Sequence, residues 1–412
     1  MVIVVKRVLA NLLLVISGLG VSLLIAELGL RLACISYPAF HRVDEITGIA
    51  LIPGAEGWYR TEGEAYVRIN NAGFRDQDHT KEKPDGTLRI AVLGDSFSEA
   101  LQVPLESTFW AVTEQVLQGC SQLGEQQIEV LNFGVAGYGT AQELLTLRHR
   151  VWDYNPDIVM LAFTIANDIS DNSRKLKQLK QFEQSKIIPY FVYQGDELIL
   201  DKSFLKSDTY VTRRSRRSLD GLANYSRLLQ VLRNVKRLSA NNWRVKRPNY
   251  ITADQEHLYE PGLLDDIYRE PRTSEWREAW RLTEDLIIIM RDEVVEKKAE
   301  FIVVTLSNGI QVHPDSTVQK RFKESLGITD LFYPDMRIKS LGEREGFPVI
   351  NLAPLMSAYT KENQTLVHGF ENTRLGIGHW NDMGHRLAGQ IIAEEICLKH
   401  LPIDRVATAH SE

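Results

Sequence analysis

The stretch LRIAVLGDSFSEA, residues 88–100, decides the fold. Its first six residues are apolar apart from Arg89, with no alternation of polar positions, as a strand covered on both faces requires. Gly94 and Asp95 break the run, and Ser96 falls where the strand gives way to a helix. An open parallel sheet presents its ligand site at the carboxyl ends of its strands, so Ser96 is a first candidate for chemistry.

Four further runs of the same kind lie downstream: IEVLNF (128–133), DIVMLAF (157–163), FIVVTL (301–306) and FPVINL (347–352). Helical periodicity separates them at 107–117, 140–152, 275–298, 320–326 and 336–344. A closing helix at 382–399 places Met383, Leu387, Ile391, Ile392 and Ile396 on one face. Strands alternating with helices predict an α/β fold, a doubly wound parallel five-stranded sheet in a flavodoxin-like three-layer sandwich. The connection between the third and fourth strands is too long to lack structure of its own. Within this insertion, about residues 183–272, segments 187–193 and 197–201 read as a hairpin. A basic stretch from Arg213 to Arg247 follows, interspersed with Leu222, Leu228, Leu229, Leu232 and Val235, and is expected to be helical.

The 412 residues are 44% hydrophobic and 25% charged, a globular composition, and the net charge of −6 gives no whole-chain attraction to nucleic acid. Lys6 and Arg7 precede an uncharged apolar run at 8–26, long enough to cross a bilayer and longer than a signal-peptide core. It predicts an uncleaved single-pass anchor within residues 1–33, with the remainder extracytoplasmic. Residues 34–86 read as a juxtamembrane tether, 87–402 as the main domain and 403–412 as a tail. The three cysteines, Cys34, Cys120 and Cys397, do not make a disulfide scaffold. Cys120 and Cys397 are expected as buried thiols, with a single bridge between them as the alternative in an oxidising compartment. No histidine or carboxylate cluster has metal-ligand spacing, so neither metal nor cofactor is expected.

Reactive residue types follow each of the first three strands. Ser96 can expose its hydroxyl and aim its N–H at an anion. In NFGVAGYGT, Gly137 permits close backbone approach and offers another N–H. In FTIANDISDN, Asn167 can turn its amide toward a developing oxyanion. Near the C-terminus, GHWNDMGH places His379 just before the closing helix as a base for the serine. His385 falls inside that helix and reads as structural. The tryptophans Trp243, Trp276 and Trp280 read as core.

These four blocks together resemble the SGNH/GDSL hydrolase family, whose Ser, Gly, Asn and His occur in this chain order. GDSF matches at Ser96, N-x-G-x-x-G at Gly137 and H-W-N-x-x-G-H at His379, while I-A-N-D replaces the usual G-x-N-D at Asn167. The resemblance implies an ester hydrolase with an acyl-enzyme on Ser96. Its expected substrates are O-acylated carbohydrates or lipids of the cell envelope. An O-acyltransferase using the same site and a non-catalytic polysaccharide- or lipid-binding protein are the alternatives. One departure stands out: the family's last block is D-x-x-H, and Gly376 occupies the position of the Asp. Glu371 and Asp382 are the nearest acids that could orient His379. The basic stretch from Arg213 to Arg247 is a candidate contact with an anionic surface.

Overall fold

The computed structural model describes residues 2–179, 187–241, 260 and 263–398. Two short antiparallel hairpins come first, β1 (His41–Asp44) with β2 (Gly48–Leu51) and β3 (Glu56–Tyr59) with β4 (Ala65–Arg68). Strands β5 (Thr87–Leu93), β6 (Gln127–Asn132) and β7 (Ile158–Thr164) follow. Then come the hairpin β8 (Tyr190–Gln194) and β9 (Glu197–Asp201), and finally β10 (Glu300–Leu306) and β11 (Val349–Asn351).

Strands β11-β10-β7-β5-β6 lie side by side in that order and are all parallel, which is the expected doubly wound sheet. Every residue of β5 and β7 is buried. Their side chains alternate between two cores, as the two-residue period of a strand demands. Ala91, Leu93, Leu161 and Phe163 meet helices 140–149 and 274–296 through Leu144, Trp280 and Met290. Ile90, Val92, Met160 and Ala162 meet helices 109–117 and 382–398 through Phe109, Leu387 and Ile392. Strand order reverses at β5, which pairs with both β6 and β7, so the crevice of the switch point opens at the ends of β5 and β7.

Helix Val2–Leu32 contains the apolar run, with mean hydropathy 2.5 over its best window, and none of that window is buried. Trp276 and Trp280 are buried in the core as expected, whereas Trp243 and the basic residues Arg244, Lys246 and Arg247 lie outside the described residues.

Residues 34–86, expected as a tether, are built into the body. Leu51, Val67 and Ile69 of the two hairpins share a core with Leu101, Val135 and Tyr138. The fully buried Arg75 donates to the carbonyl oxygens of Glu99 (3.3 Å) and Val103 (2.5 Å), and Asp76 accepts from the Asn132 backbone N–H (2.8 Å). A buried guanidinium needs such acceptors, and here they belong to the segment just after Ser96.

Cys120 and Cys397 are joined in a disulfide with Cα atoms 6.0 Å apart, which corrects the expectation of two free thiols. The pairing comes from helix 382–398 packing along helix 109–117, a juxtaposition that spacing in the sequence does not reveal. The bridge ties residues 277 apart and so restricts the unfolded chain strongly. Replacing both cysteines by serine is expected to cost about 2–4 kcal/mol in urea unfolding. Equal midpoints for the two proteins would show that the bridge contributes nothing to stability.

Candidate active site

Asp95 follows β5 and caps the short helix Ser96–Glu99, its Oδ1 accepting the Phe97 N–H at 2.9 Å. The cap aims the Ser96 side chain out of the turn. Among the described residues, neither the Ser96 nor the Gly137 backbone N–H donates to a protein acceptor. Gly137 lies in the loop after β6, which is fixed to the nucleophile turn by the Val135 N–H on the Gly94 carbonyl (3.1 Å) and the Ala136 N–H on Glu99 Oε2. Asn167 follows β7 and donates its Nδ2 to Asp95 Oδ2 at 2.6 Å. Asp95 thus holds both the serine turn and the asparagine amide. Burial pushes the Asp95 carboxyl up, against the hydrogen bonds from Phe97, Asn167 and Thr164.

His379 reaches the same point from the C-terminal side, with Nε2 2.8 Å from Ser96 Oγ. Its Nδ1 is 2.5 Å from Glu62 Oε2, and its backbone N–H donates to Glu62 Oε1 at 3.1 Å. A carboxylate accepts at Nδ1, so Nδ1 carries the proton and the Nε2 lone pair faces the serine hydroxyl. Burial alone would lower the His379 pKa, but the hydrogen bond and charge of Glu62 outweigh it and raise it above the ordinary histidine value. Burial works in the opposite sense on Glu62, where His379 and the neighbouring Gln102 hold the carboxyl below its usual range.

Glu62 corrects the expected orienting acid. Glu371 and Asp382 are both exposed, and the helix that begins at Asp382 is capped by Asn381, whose Oδ1 accepts the Gly384 N–H at 3.0 Å. Gly376, where the resemblance calls for an Asp, has φ +86°, a left-handed backbone that disfavours any side chain. Gly378 is required for a different reason: a Cβ there would lie 2.6 Å from Glu62 Oε1. Glu62 sits between β3 and β4, 317 residues from His379, in a hairpin too short to show periodicity. The only sequence signal for it is an acid in a glycine-containing turn, TEGE.

The loop carrying His379 is braced on several sides. Asn372 accepts the Gly63 N–H and donates to the Gly63 carbonyl, both at 2.9 Å, which clamps the Glu62 turn to it. His368 Nδ1 donates to the Gly378 carbonyl (2.6 Å) and its Nε2 accepts from Ser307 Oγ (3.0 Å), which in turn accepts from Trp380 Nε1 (2.9 Å). Burial pushes the His368 pKa down to about 4, so the ring is neutral and suited to both roles. Glu260, delivered by the insertion and pushed up to about 7 by burial, accepts the Gly378 N–H at 3.2 Å. His385 is buried in the closing helix and accepts the Phe109 N–H at 3.3 Å, a packing role. A cavity of about 600 Å³ is lined by Phe40, Trp58, Thr61, Leu101, Arg233 and Asn234, Thr61 being the residue before Glu62.

No family model matches the sequence, and no curated protein matches it. Several solved structures are similar to the fold. An acetyl xylan esterase shares 13% identity over 75% of this chain and 100% of its own, with a TM-score of 0.37. A G-D-S-L family lipolytic protein from Desulfitobacterium hafniense shares 11% over 75% of this chain and 99% of its own, with a TM-score of 0.33. An acetylxylan esterase from Geobacillus stearothermophilus, solved as a catalytic mutant, shares 12% over 77% and 96%, with a TM-score of 0.36. At such identities and scores neither their reaction nor their substrate carries over to this chain.

A base at this position works neutral, so activity rises with pH through the His379 pKa, which Glu62 lifts. In Glu62→Gln, kcat for a nitrophenyl ester is expected to fall by up to about 10⁴-fold, and the acid limb of kcat/KM to move to lower pH. An unchanged rate and profile would remove Glu62 from the relay.

Proposed function

We propose that this chain is a serine hydrolase of ester bonds, with Ser96 as nucleophile, His379 as base and Glu62 as the acid that orients and charges it. The observation that carries this reading is the continuous relay from Ser96 Oγ through the His379 ring to Glu62. Ser96 Oγ attacks the ester carbonyl as its proton passes to His379 Nε2, and Glu62 offsets the imidazolium charge. The carbonyl oxygen, now an oxyanion, is received by the Ser96 and Gly137 N–H groups and by the Asn167 amide. Collapse expels the alcohol, which takes the proton from His379, and water activated by the same histidine releases the acid. A sugar hydroxyl in place of that water would make the site an O-acyltransferase. The binding-protein alternative rested on the missing Asp and on the large basic insertion, and Glu62 answers the first of these.

The substrate class we favour is an O-acylated carbohydrate or lipid at a membrane surface. The exposed apolar helix Val2–Leu32 supports a single-pass anchor, and the Cys120–Cys397 bridge supports an oxidising, extracytoplasmic setting for the body. A fluorophosphonate is expected to label the wild type and to fail with Ser96→Ala and His379→Ala. Asn167→Ala is expected to lower kcat by about 10²–10³-fold with KM little changed. A folded wild type that resists the reagent would return the choice to a binding protein.

A further inference from the structure

Helix Arg227–Asn241 has its amphipathicity turned inside out. Its polar side faces the protein: the fully buried Gln230 accepts the Tyr37 N–H (2.8 Å) and donates to the Asn224 carbonyl (2.7 Å), and Arg233 donates to the Tyr37 carbonyl (3.1 Å). Its outward side is apolar, with Leu229 47% exposed, Leu232 59% and Val235 55%, and Tyr225 80% exposed just before it. Positions 229, 232 and 236 fall on one face of a 3.6-residue helix, so Lys236 lies within this stripe, one turn beyond Leu232. A helix in water presents the opposite arrangement.

The same helix is fastened to the apolar N-terminal helix. Glu27 accepts the N–H groups of Arg227 and Leu228, both at 3.0 Å, and the Ser226 hydroxyl at 3.1 Å. These are donors that a helix start leaves unsatisfied, and a carboxylate there also complements the helix dipole. Arg31 bonds both Glu27 (2.8 Å) and the Tyr225 carbonyl (2.7 Å), locking the joint. Glu27 stands five residues before the end of helix Val2–Leu32, roughly 7–8 Å of helical rise. The outward apolar stripe therefore starts where the span would leave the hydrocarbon.

We infer that helix Arg227–Asn241 lies in the lipid interface, its Leu229–Leu232–Val235 stripe immersed at the acyl boundary and Lys236 reaching up to anionic headgroups. The inference rests on the single-pass anchor proposed above. It gives the body a second membrane contact, which fixes its tilt as well as its tether. Because Arg233 and Asn234 on this helix line the cavity that also takes in Thr61, the contact holds that cavity close to the lipid surface.

The test uses the full chain in nanodiscs of phosphatidylglycerol and phosphatidylethanolamine, in a Cys34→Ser background. Single spin labels are placed through Leu229→Cys, Leu232→Cys, Leu14→Cys in the apolar helix and Glu362→Cys on the body. Labels at 229, 232 and 14 should show an oxygen-to-nickel-chelate accessibility ratio several-fold above that at 362. A water-like ratio at 229 and 232 with a lipid-like ratio at 14 would overturn the interfacial helix and leave the anchor standing. A water-like ratio at 14 would overturn the anchor and the inference with it. Spin–spin broadening at 229 or 232 with shielding from both reagents would assign the stripe to a second copy of the chain instead.

Discussion

The contact on which the site depends is the pair of hydrogen bonds between Glu62 and His379. One carboxylate holds the ring through Nδ1 and the backbone through the amide, so imidazole tautomer, orientation and loop position are set by a single group. That group belongs to the fourth strand's hairpin, before the sheet has begun. The catalytic unit is therefore closed only when the first and last parts of the chain meet. Much of the surrounding structure serves that meeting: Arg75 and Asp76 fasten the N-terminal segment to the serine turn and β6. Asn372 fastens the Glu62 turn to the histidine loop. The glycine at 378 clears the space that the carboxylate occupies.

Moving the acid from the histidine loop to a separate hairpin changes what the backbone near His379 must do. With the acid supplied by the β3–β4 hairpin, positions 376 and 378 are free to be glycine, and both adopt left-handed φ near +86°. The chain there can bend back so that His368 and Glu260 grip the Gly378 peptide from its carbonyl and amide sides. A side chain at 376 would have to adopt a backbone that L-residues disfavour, so the local conformation and the absent Asp are one fact.

The sheet was legible because a strand buried on both faces writes itself as an unbroken apolar run, and five such runs match five strands with nearly the right bounds. The last is shorter than its run, three residues, because Pro348 lacks a ladder donor and Leu352 already starts a helix. Ser96, Asn167 and His379 were legible because they stand at element boundaries, where sequence pattern changes. Glu62 was hidden because four-residue strands carry no measurable period and the partner is distant in sequence. The disulfide stayed undecided for a related reason: whether the two cysteines meet depends on the packing of two helices against one sheet face, which a pattern of local spacing cannot encode.

The segment that supplies Glu62 is also the segment nearest the apolar helix. Tyr37 and Ala39 bond to Gln230 and Asn224 of the insertion, and the insertion in turn grips Glu27. A chain of contacts thus runs from Glu27 through residues 37–39 and the first hairpins to Glu62, and across the cavity shared by Arg233 and Thr61. Each link is a hydrogen bond or a packed core, without a long unstructured connection between them. Because misplacing a catalytic group by about 1 Å can cost about 10²-fold in rate, the position of Glu62 beside His379 depends on this chain of contacts. The N-terminal segment is for that reason tied to the proposed site through Glu62.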